Sequence, residues 1–165
     1  MPVEISDKDL GRVQADACRM TTGSIGRSDF CRAVEAVVYQ GERLSVKDLF
    51  IEVGLVGLQN FGVEDSKQIP LVQKALQELG DRSGPVRLRD LITVKEIVAE
   101  FQQGGASAYL QSVDAILTGE EGFFATGALL VGVFAGLRRT GVDYDKQIPF
   151  VTIGLESLGV AVTAE

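Results

Sequence analysis

Cys18 and Cys31 are the two thiols of this chain, and a cysteine pair is the first place to look for redox or metal chemistry. Thirteen residues apart and outside any CxxC pattern, they lack the spacing of a zinc or dithiol site. The chain has no histidine, so zinc, a Cys-His nucleophile, a Ser-His-Asp triad and neutral-pH imidazole catalysis all lose their usual group. Carboxylates remain available as acids and bases, but no pair of them stands out.

Two loop-like stretches invite a ligand reading. Asp143 and Asp145 open a D-x-D run, yet a calcium loop started there would place Ile148 where glycine is required and Gly154 where a bidentate glutamate is required. Thr21-Thr22-Gly23-Ser24-Ile25-Gly26-Arg27-Ser28 gathers glycines, hydroxyls and an arginine before a helix start, as an anion cradle would. It matches neither GxxxxGK[ST] nor GxGxxG and reads as an interhelix turn. No metal and no cofactor is therefore expected.

The remaining polar motif occurs twice. Lys67-Gln68-Ile69-Pro70 returns as Lys146-Gln147-Ile148-Pro149, and sliding the chain by 79 residues aligns 15 identities over 47 ungapped positions, from Val34 on Val113 to Gly80 on Gly159. Such self-similarity is the mark of a tandem repeat, here 1–80 and 81–165 within one domain. The repeat also serves as an internal control. Cys18 falls on Ile97 and Cys31 on Leu110, as small buried apolar residues would; Asp143 and Asp145 fall on Glu64 and Ser66, which suits helix capping. Lys67, Gln68, Lys146 and Gln147 are left as candidates for holding a helix entry or marking a twice-used contact surface.

The elements that carry these residues read as an all-α fold of about eight helices in two pseudo-repeated four-helix halves. The periodicity predicts a first helix over about Asp7 to Met20 and Val86 to Gln102, and a second from caps at Ser28 and Ser107. A third spans about Ser45 to Phe61 and Phe123 to Thr140, stopped by Gly62 and Gly141 with Val63 and Val142 after them. The fourth starts at caps Ser66 and Asp145, with Pro70 and Pro149 in the first turn. Strand signals are nearly absent.

The halves differ most in the third helix. Lys47, Asp48 and Glu52 give the first copy a polar face, where the second has Thr126, Gly127 and Val131. A helix apolar all round is buried by something: the fold itself, another subunit, or a ligand or membrane surface. Gly127, Leu130, Val131 and Phe134 are the candidate contact residues. At fifteen uncharged residues, Phe123 to Leu137 would span about 22 Å as a helix, short of the roughly 30 Å of a bilayer core.

Composition bounds the partners. With 165 residues, 45% of them apolar, a single core burying roughly 70% of the unfolded surface is within reach. A net charge of −7, spread over both halves, disfavours nucleic acid. The first residues carry neither a basic nor an apolar leader segment, so a cytoplasmic setting is expected. The functional expectation is a non-enzymatic helical interaction module, self-associating or binding another protein through the apolar helix. The alternative is a carrier of an apolar small molecule, lipid or pigment in a cavity between the halves.

Overall fold

The computed structural model describes residues 7–21, 27–41, 46–82, 84–120 and 122–164, with side chains described from residue 8 and excepting those of 18–21 and 27–29. The chain is all-α. Helices α1 (Asp7–Thr21), α2 (Arg27–Gln40), α3 (Val46–Phe61) and α4 (Asp65–Asp81) precede α5 (Leu88–Glu100), α6 (Ala106–Leu117), α7 (Ala125–Arg139) and α8 (Tyr144–Ser157). A wide π-type turn, Phe101–Gly105, joins α5 to α6, so unbroken helical runs among the described residues number seven rather than about eight. The kink within that run sits at Gly104, whose φ of +131° glycine adopts without the clash a Cβ would bring.

Helices α3 and α7 form the centre. Ten residues of α3 and eleven of α7 are buried: α7 is apolar on nearly every face, and α3 on all but the strip of Lys47, Asp48 and Glu52. They cross at glycines: a Cβ on Gly57 would sit on the Gly132 carbonyl, and one on Gly136 would sit on the Val53 carbonyl. Only hydrogen at Cα lets the two backbones approach this closely. The 79-residue shift exchanges these two contacts, since it carries Val53 to Gly132 and Gly57 to Gly136.

The remaining helices wrap this pair. Helix α1 lies on α3 and α5 on α7, presenting Leu10, Val13 and Ala17, and Leu91 and Val98, to the core. The fourth helix of each half packs against the second helix of the other, α4 on α6 and α8 on α2. One continuous core results, with Phe50, Phe134, Phe150 and Tyr109 among its largest fully buried side chains.

Helix ends follow the glycine signals closely and the serine signals less so. Gly62 and Gly141 take φ of +89° and +84°, and the amides of Val63 and Val142 bond back to the Leu58 and Leu137 carbonyls. At the other ends, Glu64 and Asp143 occupy the caps of α4 and α8, two residues before the predicted Ser66 and Asp145. Pro70 and Pro149 consequently fall in the second turn, on the exposed side where water can reach the carbonyl left without a partner. Ser107 likewise lies inside α6, after Gly105. The pattern also missed a two-residue parallel pairing, β1 (Val86–Arg87) with β2 (Val162–Thr163), which ties the chain's last described residues to the junction between halves. No run of two residues carries a period that could announce it.

Candidate functional site

An apolar cleft lies inside the second half, among α5, α6 and α7, and holds about 300 Å³. Helix α5 contributes Val94 and Ile97, the following turn Phe101, α6 Tyr109, Ser112 and Ile116, and α7 Gly127, Ala128 and Val131. Gly122, Phe123 and Phe124 complete the wall where the chain enters α7. That rim is wet: Phe123 and Phe124 are 45% and 70% exposed. The volume is at the lower end of the range that small-molecule sites occupy.

The floor is aromatic and held from behind. Tyr109 stacks on Phe61 with ring centroids 4.4 Å apart, and Phe101 meets Tyr109 edge-on at 5.6 Å. Its hydroxyl donates to the Ala128 carbonyl at 2.7 Å, and burial drives the phenol pKa far upward, so it is neutral and already engaged. Ser112 donates to the Ala108 carbonyl, leaving a hydroxyl oxygen as the lone side-chain polar group on the wall besides that phenol. No charged side chain lines the cleft among the described residues.

The first half carries a cleft at the corresponding place, and charged side chains stand on its wall. Arg12, Val13, Asp16, Ala33, Asp48, Leu49 and Glu52 surround about 210 Å³. On the shared α2/α3 and α6/α7 faces, the 79-residue shift turns Ala33 into Ser112, Asp48 into Gly127, Leu49 into Ala128 and Glu52 into Val131. Arg12 bridges to Asp48 at 3.0 Å across the first cleft. In the second, Gly127 offers neither charge nor bulk, and a Cβ there would meet nothing within 4 Å.

The residues singled out from sequence thus separate. Gly127 and Val131 stand on the cleft wall, whereas Leu130 and Phe134, 6% and 0% exposed, belong to the core. Between the halves, α3 and α7 close on each other at their crossing, while two more polar clefts lie beside it, one of about 610 Å³ at Glu78, Asp81, Arg82, Phe124 and Thr126 and one of about 200 Å³ at Lys67 and Asp114.

Lys67 and Lys146 lie away from the cleft and link the halves. Lys67 Nζ reaches Asp114 on α6 at 2.8 Å, and Lys146 Nζ reaches Glu35 on α2 at 3.3 Å and its own cap Asp143 at 3.1 Å. The partners Glu35 and Asp114 are themselves 79 residues apart. Asp114 holds the Lys67 ammonium above the ordinary lysine range, as Asp143 and Glu35 do for Lys146. These carboxylates resolve the puzzle of a cation in the first turn, where the helix dipole alone would disfavour it.

Gln68 and Gln147 are buried and donate to the Val63 and Val142 carbonyls, fixing the α3–α4 and α7–α8 corners. Gln68 Oε1 also accepts from Gln14 and Gln59, while Gln147 Oε1 has no partner among the described residues. Thr93 and Arg138 stand where Gln14 and Gln59 would recur, and both are exposed.

Among the other candidates, the Cys31 thiol is half-buried, donates to the Thr140 carbonyl and is pushed up by burial, the opposite of a reactive thiolate. The Cys18 side chain and residues 22–26 of the glycine-serine turn lie outside the described residues. Asp143 serves as the α8 cap, and no group of three potential metal ligands gathers among the described residues. No helix there is long and apolar enough to cross a membrane. Lys95, unremarked in the sequence, is buried; its ammonium donates to the Tyr144 carbonyl and lies 3.1 Å from the centre of that ring. Comparison with protein-family models, with curated proteins and with solved structures finds no match.

Proposed function

We propose that this protein is a non-enzymatic helical binding module whose α5–α6–α7 cleft takes an uncharged, apolar group. The observation that carries this reading is the difference between the two clefts. Where the first half fills its cleft with Arg12, Asp48 and Glu52, the second presents Gly127, Ala128 and Val131 beneath two exposed phenylalanines. A wall this apolar rewards the loss of hydration of a ring or branched chain, at roughly 25 cal/mol per Å² removed from water. A charged ligand would find no charged partner among the described wall residues to replace its hydration shell. The tandem repeat supports the same reading: a duplicated unit retains one cleft as a polar surface while the other loses its charges.

A second reading is self-association through the same rim, favoured by the exposure of Phe123 and Phe124. The remainder of the α7 face lies within the protomer and contributes little to it. Native mass spectrometry of protein purified from its own source separates the two. The expected result is one small adduct per chain, released by organic solvent. A bare chain that sediments as a dimer favours self-association, and a bare monomer that takes up no apolar compound contradicts both readings.

A further inference from the structure

Helix α4 belongs to the first half, yet it reaches the helices that wall the second half's cleft with two oppositely charged side chains one turn apart. Lys74 Nζ donates to the Ile116 carbonyl at 2.8 Å, in the last turn of α6. The Glu78 carboxylate accepts from the Ala125 and Thr126 amides at 2.9 and 3.0 Å and from the Thr126 hydroxyl at 2.9 Å, in the first turn of α7. Ile116 is a wall of the cleft, and Phe124 and Gly127 flank the amides that Glu78 holds.

The signs suit their places. A cation faces the negative end of α6 and an anion the positive end of α7. The cap position of α7 is Phe124, whose side chain cannot accept an amide hydrogen, so the cap comes from another helix. Lys67, seven residues before Lys74 on the same helix, adds its tie to Asp114 of α6.

The repeat makes this arrangement specific to one cleft. The positions 79 residues on are Ile153 and Ser157; Ile153 packs against the core, and the Ser157 hydroxyl turns to the Gly154 carbonyl of its own helix. A charged clamp is therefore found on the α4 side and not on the α8 side.

We infer that Lys74 and Glu78 are positioning residues of the apolar cleft, fixing its α6 and α7 walls apart so that the site is formed before anything enters it. This rests on the cleft being the binding site. Pre-formed walls spare the ligand the cost of ordering them, so affinity depends on two side chains that line no part of the cleft.

The test uses the full chain and an uncharged solvatochromic dye such as Nile red, titrated at 20 °C on variants shown by circular dichroism to be folded at that temperature. Glu78→Gln and Lys74→Met are each expected to weaken dye binding at least five-fold. Glu78→Gln should also speed hydrogen exchange at the Ala125 and Thr126 amides at least ten-fold, while Ser157→Ala leaves binding as in the wild type. A purely structural clamp would lower the melting temperature and leave the dye Kd at 20 °C unchanged, and that result overturns the inference. Gly127→Leu, which fills the cleft, separates the two failures. If it blocks the dye while the clamp variants bind as the wild type does, the clamp alone is wrong; if it does not block the dye, the cleft and the clamp both fall.

Discussion

Replacing Gly127 by leucine should strengthen the fold and abolish binding at once, a combination few substitutions offer. Gly127 is the third residue of α7, in ordinary helical conformation, and a Cβ there meets open space. Glycine costs a helix interior about 1 kcal/mol relative to alanine or leucine, and less than that in a first turn. The added side chain would lie against Ile97, Ser112, Ile116 and Val131. At ~0.8 kcal/mol per fully buried CH₂, a side chain that buries only part of its surface contributes about 1 kcal/mol. Together these give roughly 1 to 2 kcal/mol of stabilisation, which for a chain of this size raises the melting temperature by about 2 to 8 °C. Guanidinium and thermal unfolding measure the first effect, and dye titration the second, with at least a ten-fold loss of affinity expected. A destabilised Gly127→Leu would show that the space is already occupied by wall side chains. A stabilised variant that still binds would place the site elsewhere.

Other outcomes follow from the same contacts. Asp48→Gly combined with Glu52→Val should open the first-half cleft and raise dye stoichiometry from one to two; a stoichiometry that stays at one would mean that cleft chemistry does not decide occupancy. Gly57→Ala and Gly136→Ala each place a methyl on a facing carbonyl and should cost more than about 3 kcal/mol, whereas wild-type stability would refute the close crossing. Gln68→Leu breaks four hydrogen bonds and should cost about 2 to 3 kcal/mol by chemical denaturation, against about 1 or less for Gln147→Leu, which also removes an oxygen with no partner among the described residues. Burial holds the Lys95 ammonium below the ordinary lysine value of 10.5, against the opposing pull of Asp145, so the native state releases this proton before the unfolded chain does. The wild type should gain stability relative to Lys95→Met as pH rises toward 10.5, and a flat or falling difference would show that the amine is solvated.

Much of the helical framework was legible because its punctuation is local. Gly62 and Gly141 announce helix ends through a backbone conformation that only their own neighbours need, and the structure has both. Ser66 and Ser107 misled because any serine before an apolar run resembles a cap, and nearby residues won the position. The recurring Lys-Gln pair could be seen as constrained, but its purpose is a contact with the opposite half, 47 residues away for Lys67 and 111 for Lys146.

The cleft was half visible. The absence of charge at Gly127 and Val131 pointed to a helix that lines it, while Leu130 and Phe134, equally apolar in the pattern, turn inward. Phe101, Tyr109 and Ser112 carried no signal, since α5 and α6 meet α7 only through tertiary packing. Lys74 and Glu78, four apart, resemble an ordinary pair on a solvated helix face. Both instead point at backbone groups of other helices, which no spacing along α4 reveals.

The most direct test of an apolar site in the second half is methyl NMR of the full chain with an uncharged apolar ligand. Intermolecular contacts are expected to the methyls of Val94, Ile97, Ile116 and Val131, with those of Val13 and Leu49 in the first-half cleft silent. Contacts at both clefts alike, or at neither, would contradict it.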